Sequence, residues 1–232
     1  MSNTEQKTNA GTLYIYDSCP YCIRVLMLQN YAQIPLTIKI VTADDEATPK
    51  KLIGRKMVPI LERNGHAIGE SLDICKVLND ELPQSLQLSP QTKDHELLNS
   101  LINGSFMKNT FSLLFPRLIQ TNLFKCYDTE EAKQFIINTK IPAVFNGKSI
   151  DEITAEYPII QPALEKQFEE IPDLLTLPSE NDNKLTWTDI IVFPNLLNLT
   201  LVKGFKFPQR VQQYINEVSA LTNLPVYTAH AL

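Results

Sequence analysis

The apolar positions of the first eighty residues switch between two periods. Leu13-Tyr14-Ile15-Tyr16-Asp17 is a short run of the kind a buried strand makes, and from Ile23 to Tyr31 the apolar residues recur at helical spacing, which predicts a helix over 20–31. Ile34 to Val41 alternates and ends in apolar residues, a second strand that completes a β-α-β unit; a right-handed crossover lays its two strands parallel. The acidic, turn-like stretch from Asp44 to Pro49 leads to a short helix through Leu52 and Ile53 that Gly54 closes. Met57-Val58-Pro59-Ile60-Leu61 reads as a strand with a proline near its start. Asn64-Gly65 then predicts a tight hairpin, with His66-Ala67-Ile68 returning antiparallel. Ser71 to Leu82 is helical, with Leu72, Ile74, Cys75 and Leu78 apolar. The predicted order is β-α-β-α-β-β-α.

Beyond Leu82 the strand signals stop. Residues 83–88 have no period and contain Pro83, so they are expected to link a first domain, residues 12–82, to an all-helical one, residues 89–232. Ser89-Pro90 reads as a helix N-cap and first turn, followed by the stripe Leu97, Leu98, Leu101, Ile102 and later Leu113 and Leu114, which Pro116 should kink or end. Asp128-x-x-Glu131 has the form of a capping box before a helix through Phe135 and Ile136. A further helix is expected from Ile159 to Phe168. Thr186-x-x-Asp189 caps a segment, Ile190 to Val202, that is apolar on nearly every side and is therefore buried, with a bend at Pro194 and a stop at Gly204. The last helix starts at Pro208 and carries Val211, Tyr214, Ile215, Val218 and Leu221 on one face.

Composition narrows the class. With 44% hydrophobic and 20% charged residues the chain is an ordinary globular protein. Its net charge of −5 and lack of a Lys/Arg cluster argue against a nucleic-acid partner. No run of about 18 apolar residues is present, so no membrane span is expected. Residues 1–11 are polar and lack the apolar core of a secretory signal; a flexible tail is expected there. Four cysteines, two of them isolated, fit a reducing cytoplasm better than a disulfide-stapled secreted domain.

The remaining two cysteines carry the chemistry. Cys19-Pro20-Tyr21-Cys22 stands between the first strand and the first helix, where the free N–H groups and partial positive charge of a helix N-terminus favour a thiolate at Cys19. Pro20 suits the first helical turn, where its missing N–H was unpaired anyway. Cys22 falls one turn inside. Cys-x-x-Cys opening a strand–helix unit is a thioredoxin-type redox arrangement. Zinc would need two more Cys or His ligands at short spacing, and Cys75, Cys126, His66, His95 and His230 are scattered, so no metal is expected. A purely structural disulfide is the other reading of the pair, and its placement at a helix start speaks for redox use. Cys75 and Cys126 read as packing residues.

Taken with Val58-Pro59 and with Glu70-Ser71 before a helix, the motif resembles the glutaredoxin active site and its glutathione cradle on a thioredoxin-like domain. With an all-helical domain following, the two-domain architecture is similar to that of glutathione S-transferases, and the combination resembles the bacterial glutaredoxin 2 family. The resemblance covers nearly all of the chain except Met1 to Gly11. It implies a glutathione-dependent thiol–disulfide oxidoreductase in which Cys19 attacks and Cys22 resolves, with glutathione as co-substrate and no tightly bound cofactor. It further implies that Pro59 is cis, leaving Val58 to bond the tripeptide backbone, and that Ser71 and Glu70 take the two charges of its γ-glutamyl end. Tyr21 would flank the glutathione sulfur, or merely cover the helix next to Pro20. Arg55 and Lys56 would pair with the glycyl carboxylate, or stay solvated. Thr186 and Asp189 would be a folding element. The implied partners are disulfide-containing or glutathionylated proteins, met by a monomer. A transferase that conjugates glutathione to electrophiles is the alternative, though a second cysteine is superfluous to it. A non-enzymatic interaction module on the same fold would have little reason to keep both thiols.

Overall fold

A computed structural model describes residues 11–103 and 105–232. Of the expected tail only Gly11 is among them, and its carbonyl accepts the Thr37 N–H at 2.9 Å; the rest lies outside the described residues. The first part of the chain runs β1 (Thr12–Ile15), α1 (Pro20–Tyr31), β2 (Thr37–Ile40), α2 (Ala47–Ile53), β3 (Ile60–Arg63), β4 (His66–Ile68) and α3 (Ser71–Asp80). The sheet order is β2-β1-β3-β4, with β1 parallel to β2 and antiparallel to β3, and β3 antiparallel to β4. Because side chains alternate across a strand, Leu13 and Ile15 enter the main core while Tyr14, with Val41 and Ile60, packs toward Leu52 and Ile53 on the opposite face. Asn64 and Gly65 both take positive φ, 52° and 76°, as the hairpin requires. This is the thioredoxin-like arrangement.

The second strand is shorter than its alternation suggested. Only Thr37 to Ile40 pair with β1, along an exposed edge, and Ile34 to Leu36 form a turn.

The rest of the chain is helical: α4 (His95–Leu101), α5 (Ser105–Gln120), α6 (Glu130–Phe135), α7 (Ile141–Val144), α8 (Ile150–Ala155), α9 (Tyr157–Gln167), α10 (Trp187–Leu199) and α11 (Gln209–Thr222). A π-turn at Ile136–Lys140 joins α6 to α7. Helix α10 is buried along almost its whole length and packs on α1, so both halves of the chain share one core.

Local expectations give way at several points. Ser89-Pro90 does not start a helix, because Ser89 is held extended against Thr186: Ser89 N–H donates to Leu185 C=O at 2.9 Å and its carbonyl accepts from Trp187 N–H at 3.1 Å. Pro116 lies inside α5 and does not end it. Side chains serve the backbone around it, where Leu113 C=O accepts from Arg117 Nη1 at 2.5 Å. The cap of α6 is Thr129, one residue beyond Asp128, and its side chain accepts the Ala132 N–H. Helix α9 also begins two residues early, at Tyr157, with Pro162 in its interior. Helix α10 ends at Leu199, ahead of Gly204.

The cap at Thr186 forms as expected. Asp189 accepts from Thr186 N–H and hydroxyl at 2.8 Å each, Asp189 N–H donates to Thr186 Oγ1 at 3.1 Å, and Tyr214 O–H donates to Asp189 at 2.6 Å. All three side chains are buried. Thr186→Ala is expected to lower unfolding free energy by about 1 to 2 kcal/mol, and Asp189→Ala by roughly 3 kcal/mol, since it also strands the buried Tyr214 hydroxyl. Urea melts measure both. Turnover per folded molecule should not change, and a loss of turnover without loss of stability would place these residues at the site.

Candidate functional site

Cys19 is the N-cap of α1, with φ −77° and ψ 124°, and Pro20 takes the first helical position. Its thiol is held below the usual thiol pKa chiefly by the Cys22 thiol donating to it, then by the backbone N–H groups of Cys22 and Tyr21, with the Arg24 guanidinium adding its charge; burial works in the opposite direction. The helix start therefore contributes as the sequence suggests, but the partner thiol contributes more. Cys22 is fully buried, and that burial pushes its own pKa well up, aided by the hydrogen bond to Cys19 and the charge there. All four cysteines are free. Cys75 is raised to about 12 by burial, and burial also raises Cys126. Cys22→Ala should raise the Cys19 pKa, because it removes the main donor; thiolate absorbance against pH measures it, and an unchanged or lowered value would contradict this geometry.

The Val58–Pro59 peptide is cis and lies just ahead of β3. Val58 shares a cavity with Cys19, Pro20, Tyr21 and Lys56. Glu70 precedes α3 with φ 64° and ψ 114°, a conformation that residues other than glycine avoid, and Ser71 is buried at the first helical position. Arg55 Nη2 pairs with Glu70 Oε1 at 2.9 Å across an exposed surface. Lys56 turns away from them: its Nζ lies 3.4 Å from the Phe135 ring centre and 3.7 Å from Glu46 Oε1. Tyr21 is exposed at the cavity edge, its hydroxyl 3.7 Å from Met107 Sδ.

Two features escaped the sequence reading. Arg24 connects the thiol to the Glu70-Ser71 corner: its guanidinium stacks 4.7 Å from the Tyr21 ring centre, and Nη1 donates to Ser71 Oγ at 3.3 Å. Its position on α1 one turn past Cys19 was the available signal. The second is a set of bonds by which the helical part grips the turn before Cys19. Asp17 accepts from Lys125 N–H at 2.8 Å and Cys126 N–H at 3.1 Å, the Ser18 and Tyr127 hydroxyls lie 2.9 Å apart, and Asn198 Nδ2 donates to Ser18 C=O at 3.1 Å. Those partners lie more than a hundred residues away, where no local pattern reaches.

A thiol pair at a helix start, beside a cis-proline and under an all-helical second half, defines a thiol–disulfide oxidoreductase of glutathione S-transferase-like architecture. Residues 101–231 match the family described as Glutaredoxin 2, C terminal domain, and residues 13–85 match the glutathione S-transferase N-terminal domain. The chain belongs to the glutaredoxin 2 family. It is 28% identical over 221 residues to Glutaredoxin 2 of Escherichia coli strain K12, covering 95% of this chain and 99% of that protein. Glutaredoxin 2 from Salmonella typhimurium, solved in complex with glutathione, superposes with a TM-score of 0.83 at 31% identity, covering 97% of this chain and all of that one. A glutathione S-transferase from Ceriporiopsis subvermispora, at 13% identity and a TM-score of 0.67, shares the fold over 97% of this chain and 98% of that one. Among the described residues no helix is long and apolar enough to cross a membrane.

Proposed function

We propose that Cys19 and Cys22 carry the glutathione-dependent thiol–disulfide exchange of this family. The single observation behind the assignment is the placement of Cys19 as the N-cap of α1, sharing a cavity with Val58 of the cis Val58–Pro59 peptide, with Cys22 fully buried one turn inside; there the pKa of Cys19 is lowered and that of Cys22 raised. Cys19 attacks a substrate sulfur in line with the bond that breaks. Once Cys19 is in a mixed disulfide, it no longer holds a charge or accepts the Cys22 proton. Two of the causes raising the Cys22 pKa then vanish, and only its burial persists as the main one. Cys22 thus becomes easier to deprotonate at the step where it must attack.

Glutathione enters as co-substrate. Val58 takes its backbone as a short added strand. Ser71, with the α3 N-terminus and Arg24 behind it, takes the γ-glutamyl carboxylate, and Glu70 takes the ammonium. Lys56 serves the glycyl end; Arg55, already paired to Glu70, orients that carboxylate. No tightly bound cofactor is needed. The redox domain is residues 12–82, the linker 83–88 and the helical domain 89–232. The partners are disulfide-containing or glutathionylated proteins of the cytoplasm, met by a monomer whose mass sedimentation would report. The deciding assay sets glutathione-dependent disulfide reduction beside conjugation of glutathione to an aromatic electrophile. Reduction without conjugation is expected; conjugation alone would replace this reading with the transferase one.

A further inference from the structure

Cys19 serves as an N-cap only while the peptide unit ahead of it keeps one orientation, because that plane sets the Cys19 φ of −77° and so the direction of its sulfur. Both polar groups of the Ser18–Cys19 peptide are held. On one side the Cys19 N–H donates to Tyr16 C=O at 3.1 Å, a bond within the turn itself. On the other the Ser18 carbonyl accepts from Asn198 Nδ2 at 3.1 Å, a residue 180 positions along the chain. Among the described residues no backbone N–H is bonded to that carbonyl, and α1 opens with the bond from Ile23 N–H to Cys19 C=O at 3.0 Å. A helix begun one residue earlier would bring the Cys22 N–H back onto Ser18 C=O. That N–H is one of the two that lower the Cys19 pKa. Asn198 thus stands where a helical N–H would otherwise be, and leaves the Cys22 N–H to the sulfur.

The amide has no second use. Asn198 is 3% exposed, and its side chain makes no other hydrogen bond among the described residues; its Oδ1 is left without a partner. An unpaired buried acceptor costs stability, and turning the amide over would set that oxygen against the Ser18 oxygen. Asn195, one turn earlier on the same helix and equally buried, behaves differently, since its Nδ2 returns to Ile191 C=O at 3.2 Å within α10. Helix α10 packs on α1, and Asp17 ties the same turn to the Lys125 and Cys126 N–H groups, so the donor is carried on a scaffold fixed from two sides.

We propose that Asn198 is a positioning residue for the nucleophile: from the helical domain, its amide holds the Ser18–Cys19 peptide so that the first N–H groups of α1 remain free for the Cys19 sulfur. The inference rests on Cys19 as the attacking sulfur. The test compares the wild-type protein with Asn198→Leu and Asn195→Leu. Leucine has the branching of asparagine and no donor. Alkylation by iodoacetamide is followed against pH, with the modified cysteine identified by peptide mapping, and reduction of the 2-mercaptoethanol–glutathione mixed disulfide is followed at steady state. Titratable groups around Cys19 include Cys22 and Arg24 on α1, Tyr16 after β1, Lys56 ahead of β3 and Tyr127 from the helical half, and they are the same in all three proteins.

In Asn198→Leu the midpoint of the alkylation profile should move to higher pH, and the rate below the wild-type midpoint should fall about three- to tenfold. The kcat/KM for the mixed disulfide should fall with it, while the KM for glutathione stays within about twofold, because Val58, Glu70 and Ser71 are untouched. Asn195→Leu should keep the wild-type profile whatever it does to a urea melt. If Asn198→Leu does not fold, Asn198→Ala removes the donor without adding volume and is read in the same way. An Asn198 variant whose profile coincides with the wild-type one, or equal shifts in the Asn198 and Asn195 variants, would overturn the proposal. Alkylation of the wild-type protein at a cysteine other than Cys19 would remove the Cys19 assignment itself, and this proposal with it.

Discussion

Cys19→Ser is expected to lower glutathione-dependent disulfide reduction by about a thousandfold or more, because a serine hydroxyl stays protonated at a position where the thiol pKa is lowered and thiolate is within reach. The environment that lowers the Cys19 pKa, the Cys22 donor, the two backbone N–H groups and Arg24, cannot bring an alcohol into that range. Cys75→Ser and Cys126→Ser should keep turnover per folded molecule within about twofold. Both thiols are fully buried and burial holds both protonated, so neither can substitute for Cys19. Cys126 is the sterner control, since its Sγ lies 3.6 Å from Ser18 Oγ in the turn that leads into Cys19. A steady-state assay on the three variants decides the matter, and substantial activity in Cys19→Ser would remove the mechanism.

What could be read from the chain was what its neighbours in sequence decide. The Cys19-x-x-Cys22 pair, the Asn64-Gly65 hairpin and the Thr186/Asp189 cap each depend on residues within four positions, and each takes the conformation its side chains favour. The failures are equally specific. Ser89-Pro90 has the chemistry of a helix start, yet its backbone is claimed by Leu185 and Trp187, nearly a hundred residues away. Pro162 is a helix breaker by local rules, yet it sits inside α9, where packing outweighs one lost backbone bond; of the two outcomes expected at Pro116, a kink or an end, the end does not occur. Asp128 and Thr129 can each cap α6, and the pattern alone does not choose between adjacent candidates.

The site divides along the same line. Each redox residue was visible because its chemistry is rare. The residues that position them were not: Arg24 looks like any helix-surface cation, and Asn198 like any polar residue in an apolar helix. Only the fold brings Asn198 Nδ2 to the Ser18 carbonyl, and only the fold leaves its Oδ1 buried without a hydrogen-bond partner among the described residues, at the edge of the cavity beside Cys19. The helical domain thus belongs to the redox site as much as the thioredoxin-like one does. It holds the turn that leads into Cys19 and lines the cavity beside it.

The second large effect separates the two thiols. A protein–glutathione mixed disulfide needs Cys19 alone: it attacks the glutathione sulfur, the protein thiol departs, and another glutathione clears the enzyme. A protein disulfide leaves the enzyme tethered to its substrate instead. The sulfur placed to release it is Cys22, one turn along α1 and buried beside Cys19. Glutathione would have to reach that tether past an intact protein, whereas Cys22 is within the same fold and buried beneath it. Cys22→Ser should therefore keep deglutathionylation within a few-fold of the wild-type rate and lose roughly 90% or more of protein-disulfide reduction. The retained rate will not be fully normal, because Cys22 is also the main donor holding the Cys19 pKa down, and a serine hydroxyl replaces that bond with a different one. Parallel assays with a glutathionylated protein and with a disulfide-bonded protein measure the split. Equal loss of both activities, or of neither, would mean that Cys22 is not the resolving thiol.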